Sequence, residues 1–175
     1  GPLKELHSER RILRLGEGVD QLRRLKREAM DRVLRCLSEW RTVIAGHHVD
    51  AYTVVATSAV RDAQNRQEFL DRVTSETGLE VEILSGEEEA RRTMLGIRSG
   101  LPAQIIDVLA VDIGGGSTEF INARKGQLPV ARSIDIGVVR LSERLLLHDP
   151  PTGDEIEQSR AWIRREMTEA LAALS

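Results

Sequence analysis

The segment from Val111 to Glu119 has the residue types of a phosphate-binding loop. Three successive glycines, Gly114, Gly115 and Gly116, let main-chain amides approach an anion, because residues without a Cβ accept positive φ at low cost. Asp112 precedes them at the end of a predicted strand, where a carboxylate can hold Mg²⁺ directly or through water. An ordinary hairpin is the alternative, although a hairpin needs only one or two glycines.

The spacing of this segment differs from that of the common nucleotide loops. The glycines lie between two predicted strands rather than before a helix, so the segment matches neither a Walker loop nor a dinucleotide fingerprint. Ser117 and Glu119, which follow the glycines, add a hydroxyl and a second acid to the group.

A second segment, from Ser85 to Arg91, places three acids in the first turn of a predicted helix. Acids at this position stabilise a helix through its macrodipole, so the run by itself is typical of ordinary helix chemistry. Glu89 differs because it adjoins the apolar stripe of Ala90 and Met94, and we expect it to point into a cleft. A partly desolvated carboxylate has a raised pKa, which suits a general base for water.

A third candidate is Arg61, which follows a short apolar run ending at Ala56. Its planar guanidinium could present two N–H groups to phosphate oxygens. An ion pair with Asp62 or with another neighbouring acid is equally compatible with the sequence.

The elements that position these residues are predicted from hydrophobic periodicity, glycine stops and capping patterns. Capping boxes begin helices at Ser85 and Thr152, and Gly78 ends another helix. The order indicates an α/β fold with an early parallel element and a later meander. We predict an edge strand entering a glycine turn at 9–19, strands buried on both faces at 51–56 and 108–113, and further strands at 80–84, 118–123 and 128–136. Helices are predicted at 25–44, 65–77, 85–99, 138–147 and from 152 onward.

Composition narrows the class of protein. The chain has 175 residues, 41% of them hydrophobic and 30% charged, as in soluble globular proteins. A net charge of −3 provides no general attraction to nucleic acid, although basic residues exceed acidic ones over 23–41. That excess is either a solvated helix face or a local funnel for a polyanion. No apolar run is long enough for a membrane span, so we expect a cytoplasmic protein.

The single cysteine and the four histidines do not predict a further catalytic or metal-binding site. Cys36 is the single cysteine, and its apolar helical neighbours indicate a core position. The four histidines have no acidic or cysteine partners at ligand spacing, so no zinc site is predicted.

Taken together, these segments resemble the exopolyphosphatase and guanosine pentaphosphate phosphohydrolase (Ppx/GppA) family. The matching segments, in the family's order, are Leu15–Val19, Thr57–Arg61, Leu84–Arg91, Asp112–Glu119 and Ile136–Leu141.

The resemblance implies the actin, sugar kinase and Hsp70-like ATPase (ribonuclease H-like) fold in incomplete form. Residues 1–8 would be a tag remnant and lead-in, 9–100 the C-terminal part of lobe one with its hinge helix, and 101–175 the N-terminal part of lobe two. Family members also have a first phosphate loop that nothing before Glu9 supplies, so we expect the chain alone to be inactive.

The resemblance also implies an activity and a set of roles. The activity is Mg²⁺-dependent release of the terminal phosphate of inorganic polyphosphate, or of the 5′ γ-phosphate of guanosine pentaphosphate. The implied roles are Glu89 as catalytic base, Glu119 as a second catalytic acid, Asp112 as metal ligand, and a phosphate-binding set of Arg61, Gly114, Gly115, Gly116 and Ser117.

Two other functions remain open on the sequence. One is an ATPase or kinase of the same fold, and the other is a sensor that binds polyphosphate or guanosine tetraphosphate without turnover. Self-association into a homodimer through exposed strand edges is a further expectation.

Overall fold

The computed structural model describes residues 4–102, 104–127 and 129–172. The chain forms two small sheets, one before and one after a central helix. Its helices are α1 (Val19–Leu22), α2 (Arg27–Gly46), α3 (Ser58–Asp62), α4 (Arg66–Thr77), α5 (Gly86–Gly100), α6 (Val138–Leu145) and α7 (Gly153–Ala172). Its strands are β1 (Val54–Ala56), β2 (Val81–Ile83), β3 (Val108–Ile113), β4 (Thr118–Ala123) and β5 (Val130–Ile134).

The first sheet confirms the predicted early parallel element. β1 and β2 pair in parallel, with Val54 opposite Val81 and Ala56 opposite Ile83. These four side chains pack against a core in which α2 and α4 bury Met30, Leu34, Phe69 and Val73. α4 ends as predicted, with Gly78 at φ +69° in the left-handed region that favours glycine.

The second sheet confirms the predicted meander, in the order β3-β4-β5 with both pairs antiparallel. α5 covers one face, where Ala90 and Met94 pack against Ala110, Ile121 and Ala123. α7 covers part of the other face, where Ala170 and Met167 pack against Phe120 and Ile134. The predicted start of β5 at Leu128 lies outside the described residues, and β5 begins at Val130.

The edge strand predicted within 9–19 is wrong, whereas the glycine turn predicted at Gly16 to Gly18 is present. Residues 9–14 run without regular structure beside α2, and a turn leads into α1. Individual contacts hold this segment, including a bond of 3.1 Å from Arg32 Nε to the Leu13 carbonyl and one of 3.1 Å from Trp40 Nε1 to Glu9 Oε2. A helix satisfies its own main-chain groups, so α2 offers this segment no ladder in which to form a strand.

The prediction that β1 and β3 are buried on both faces is also wrong. Val55 is 44% exposed, and Leu109, Val111 and Ile113 are 49% to 65% exposed. The apolar runs were identified correctly, but burial requires a second layer. Within the described residues β3 is an edge of its sheet, and α7 packs over β4 and β5 instead.

Cys36 is 3% exposed, as its predicted core position requires, and burial raises the pKa of its thiol. Among the described residues, no helix combines the length and the apolar character that a membrane crossing requires.

The start of α7 has a reciprocal capping box. Thr152 Oγ1 accepts from the Glu155 amide at 3.3 Å, and the Thr152 amide donates to Glu155 Oε2 at 2.8 Å. This is the pattern predicted from the sequence, and it satisfies two amides that the helix itself leaves without acceptors.

We expect Thr152→Ala to lower the free energy of unfolding by about 1 kcal/mol, because the Glu155 amide loses its acceptor. Urea denaturation monitored by circular dichroism would measure the change. Thr168→Ala is the matched control, since Thr168 lies inside α7 and its hydroxyl bonds only the Arg164 carbonyl. An equal loss in both variants would contradict a capping role.

Candidate active site

Two of the predicted site carboxylates face each other across β3 and β4. Asp112 is the register partner of Glu119, and strand alternation places both on the face that α5 covers. Glu119 is only 1% exposed, and its Oε1 accepts from Ser133 Oγ of β5 at 2.8 Å. A charge this deeply buried is costly unless its hydrogen bonds and neighbouring charges compensate.

A glycine in α5 makes room for that contact. A Cβ on Gly86 would lie 2.6 Å from the Cβ of Ser133, closer than atoms can approach. α5 also supplies Thr93, whose hydroxyl lies 3.4 Å from Asp112 Oδ2. The first two turns of α5 therefore shape the acid pair.

Glu89 joins this pair from the first turn of α5. Ser85 caps the helix by accepting from the Glu88 amide at 3.2 Å, which is the predicted cap. The Glu89 side chain is 16% exposed, so it points inward rather than into solvent. Desolvation raises the pKa of Glu89, the Glu119 charge raises it further, and Arg61 opposes both effects.

Arg61 is a cation that contacts Glu89. Its Nη1 donates to the Leu84 carbonyl at 2.7 Å and lies 3.4 Å from Glu89 Oε2. Of the two interpretations of Arg61, the structure therefore contains the ion pair with a neighbouring acid, and that acid is Glu89. Phosphate binding by Arg61 stays a prediction.

The glycine bend, Gly114 to Gly116, does not use the conformational freedom expected of it. Within the described residues the glycines with positive φ are Gly18, Gly78 and Gly126, so the expectation of positive φ in the bend is wrong. The bend instead needs glycine because neighbouring residues approach its backbone closely. A Cβ on Gly116 would lie 2.6 Å from Ser58 Oγ.

Gly137, just before α6, packs directly on the bend. A Cβ there would lie 2.5 Å from the Gly116 nitrogen and would also collide with the Gly115 carbonyl group. The backbone of Gly137 thus packs on the backbone of the bend, and a side chain at Gly137 would push the start of α6 away from the bend.

The start of α6 binds three successive carbonyl groups of the bend. The Val138 amide donates to Gly114 O at 3.0 Å, and the Val139 and Arg140 amides donate to Gly115 O at 2.9 and 3.1 Å. The Arg140 side chain donates from Nε to Gly116 O at 2.8 Å.

This anchoring decides where the amides of the bend point. In a trans peptide the N–H points in the opposite direction from the carbonyl of the same peptide group. The carbonyls of these three peptide groups point toward α6, so the amides of Gly115, Gly116 and Ser117 point away from it. Within the described residues, none of these three amides has a hydrogen-bond acceptor. Three adjacent main-chain donors without internal partners can bind an anion.

A small cavity of about 180 Å³ lies between the bend and the first half of the chain. Gly115, Gly116, Ser58, Asp62 and Arg140 are among the residues that line it. Glu89 is not among them. The predicted site residues therefore form two adjacent groups, the bend with Ser117 and the acids with Arg61.

α3 connects the two groups. Ser58 and Asp62 of this five-residue helix line the cavity beside the bend, while Arg61 reaches Glu89. The sequence analysis did not identify Ser58, Ser133, Gly137 or Arg140 as site residues. Ser58, Gly137 and Arg140 fall within segments that resemble the family, but none of them has a local signal for contact with the bend.

The carboxylates are suited to a hard cation, but they do not enclose one. Among the described residues, no group of three or more His, Cys, Asp or Glu is placed to hold a metal ion. Mg²⁺ commonly takes one or two carboxylates and completes its shell with water and substrate phosphates, so Asp112 and Glu119 fit this kind of site.

Comparisons with known proteins place the chain in a family. The model of the Ppx/GppA phosphatase family matches residues 1–175. The chain is 36% identical to Exopolyphosphatase 2 of Mycobacterium tuberculosis over 98% of its own length and 55% of that protein's. It is 32% identical to a bifunctional 3-dehydroquinate synthase/phosphatase of Fusobacterium nucleatum, over 95% of the chain and 26% of that protein.

Solved structures show the same relationship. An exopolyphosphatase-like protein superposes with a TM-score of 0.87 at 39% identity, covering 93% of this chain and 53% of that one. A Ppx/GppA protein of Aquifex aeolicus superposes with a TM-score of 0.70 at 34% identity, covering 91% and 52%. The chain therefore spans about half the length of the exopolyphosphatases that it matches.

We expect Glu89→Gln to stabilise the fold near neutral pH, since an ionised Glu89 is desolvated and repelled by Glu119. Because the pKa of Glu89 is raised in the folded state, ionised Glu89 destabilises the fold at pH values above that folded-state pKa. This destabilisation disappears below the ordinary value of 4.5, where the acid is neutral in both states. Thermal melts at several pH values would measure this effect, with Glu87→Gln, an exposed change in the same turn, as the control. A gain that persists at low pH would contradict the assignment.

We expect Gly137→Ala to lower the free energy of unfolding by roughly 1–3 kcal/mol, because the added methyl group overlaps the backbone of the bend. Gly96→Ala in α5 is the control, since a Cβ there meets nothing within 4 Å. Chemical denaturation of both variants would test the contact. Equal stability of Gly137→Ala and the unmodified protein would show that the bend can move away freely.

Proposed function

This chain belongs to the Ppx/GppA phosphatase family, and from that premise we propose that the protein hydrolyses the terminal phosphoanhydride bond of inorganic polyphosphate. Its fold is part of the actin-like, ribonuclease H-like architecture of that family. The observation that carries the proposal is the row of three amides in the glycine bend, close to a buried group of carboxylates. Phosphoryl transfer requires mainly positioning and charge neutralisation, which such groups provide.

In the proposed reaction, the amides of Gly115, Gly116 and Ser117 bind oxygens of the terminal phosphoryl group. Glu89 accepts a proton from a water molecule as that water attacks the phosphorus. The bond from phosphorus to the bridging oxygen breaks, and the shortened polyphosphate leaves with the electron pair. The raised pKa of Glu89 makes it a better proton acceptor than an exposed carboxylate.

Arg61 and the acid pair have supporting roles in this proposal. Arg61 orients Glu89 through their contact and adds positive charge beside the incoming phosphate. Asp112 would hold Mg²⁺, whose charge neutralises phosphate oxygens when it is bound, and Glu119, its register partner, is the second acid near the attacking water. A carboxylate pair beside a phosphate site is otherwise unfavourable, because like charges repel across the short distance between register partners.

We name polyphosphate as the first substrate because several of the matched curated relatives bear the name exopolyphosphatase. The same chemistry would release the 5′ γ-phosphate of guanosine pentaphosphate, which also ends in a phosphoanhydride. Parallel phosphate-release assays with polyphosphate, guanosine pentaphosphate and ATP would separate these substrates. Binding without release from any of them would favour a sensor, and faster release from ATP would favour an ATPase.

We expect Glu89→Gln in the full-length protein to lower kcat for phosphate release by roughly 10²- to 10⁴-fold, because the attacking water loses its proton acceptor. The matched control is Glu87→Gln, which we expect to leave kcat within about threefold, since Glu87 lies outside the site. Steady-state phosphate release from polyphosphate measures both variants. Unchanged turnover in Glu89→Gln would remove Glu89 from the mechanism.

We expect phosphate release to stop when Mg²⁺ is removed with a chelator and to return when Mg²⁺ is added back. Asp112→Asn should raise the Mg²⁺ concentration for half-maximal activity about tenfold or more, because a ligating carboxylate loses its charge. A titration of activity against free Mg²⁺ gives this value. Full activity in excess chelator would contradict the metal requirement.

A further inference from the structure

Arg140 is a buried cation that contacts three separate segments of the chain. It is only 7% exposed, although arginine is usually among the most exposed residue types. Its Nε donates to the Gly116 carbonyl at 2.8 Å, its Nη1 to Asp20 at 2.9 Å and its Nη2 to Asp62 at 2.6 Å. The bend, α1 and α3 thus meet on a single guanidinium group.

The geometry of this contact is specific to arginine. A guanidinium presents its N–H donors in one rigid plane, so it can bond three acceptors in three directions at once. A lysine ammonium in the same place could keep the positive charge but could not bond all three acceptors from a planar fork. Charge and geometry can therefore be separated by mutation at this position.

The two carboxylates hold the guanidinium in place. Asp20 and Asp62 are 7% and 19% exposed, and Asp20 is shared with Arg144, with which it forms a second ion pair. Arg144 and Arg140 lower the pKa of Asp20, with the hydrogen bond from Arg144 as the largest cause and burial opposing it.

We infer that Arg140 is a positioning residue that sets the direction of the Ser117 amide. The Gly116 carbonyl and the Ser117 N–H belong to the same trans peptide, so holding the carbonyl at Arg140 fixes the N–H on the opposite side. This inference rests on the proposed function, because it assumes that the Ser117 amide binds a phosphate oxygen.

Arg140 also affects how the phosphate is aligned with the proton acceptor Glu89. Asp62, which holds Arg140, is the neighbour of Arg61, which contacts Glu89. Both residues lie on α3, a helix of five residues. The amide donors of the bend and the proton acceptor Glu89 are therefore both held in place through α3. If Arg140 is not held, the amide donors are no longer aligned with Glu89.

The test compares Arg140→Lys with Arg144→Lys in the full-length protein. Arg144 lies one turn later on α6 and shares Asp20, but it makes no contact with the bend, so it is the matched control. We expect Arg140→Lys to lower kcat/KM for polyphosphate by about 100-fold or more, the scale expected when an oriented donor is lost. We expect Arg144→Lys to stay within about threefold of the unmodified protein.

The separate values of KM and kcat distinguish positioning from loss of folded protein. Partial unfolding lowers the apparent kcat and leaves KM unchanged, whereas a misdirected amide raises KM as well. We expect KM to rise in Arg140→Lys, and an unchanged KM would overturn the inference. An unmodified protein that releases no phosphate would instead overturn the proposed function.

A second variant tests the planar fork by chemical rescue. Arg140→Ala leaves a space of guanidinium shape beside Asp20 and Asp62, so added guanidinium chloride at millimolar concentration should restore activity at least tenfold over the variant alone. Methylammonium chloride, which carries charge without the planar fork, should restore much less. Equal rescue by both cations, or rescue by neither, would contradict the role assigned to the fork.

Discussion

The candidate site depends on the way in which the first residues of α6 bind the carbonyl groups of the glycine bend. A bond of 2.9 Å from the Gly114 amide to the Ser117 carbonyl closes the four-residue connection between the two β-strands, but it does not engage the carbonyls of Gly114, Gly115 and Gly116. Successive bonds from Val138, Val139 and Arg140 fix three carbonyls and so fix three amides. This arrangement is possible only because Gly137 and Gly116 lack side chains where the backbones approach.

The acids impose a second constraint, which is electrostatic. Glu89, Asp112 and Glu119 lie near one another, and Arg61 is the cation that contacts Glu89. Burying like charges together destabilises the folded state, and the raised pKa of Glu89 expresses that cost. Such a cluster is understandable as part of a site that receives positive charge or a proton during its reaction, since perturbed acids concentrate at functional sites. Packing of α5 on the sheet, through Ala90 and Met94, provides the stability that holds the acids together.

α3 has more influence than its length suggests. It lies between the parallel sheet and the meander and sends Arg61 to the acids and Asp62 to Arg140. A helix of five residues has little stability of its own, because helix nucleation is costly. Its position is therefore set by its contacts, including the burial of Val60 in the first core. The two halves of the site remain aligned through these contacts rather than through the helix itself.

Local patterns in the sequence were sufficient for α2, α4, α5, α6 and α7, for both sheets and for the caps at Ser85 and Thr152, since periodicity and hydrogen-bonding side chains act within a few residues. The short helices α1 and α3 were not predicted. Local patterns also identified the glycine bend and Glu89. The sequence by itself did not show which glycine makes room for which neighbouring residue. It also did not show that residues 9–14 lie along a helix instead of forming a strand, or that one face of β3 is uncovered. Those outcomes depend on what lies opposite in space. Only the tertiary structure brings Arg140 to Gly116, Asp20 and Asp62, residues 24, 120 and 78 positions away, because a buried guanidinium must find its acceptors wherever the fold provides them.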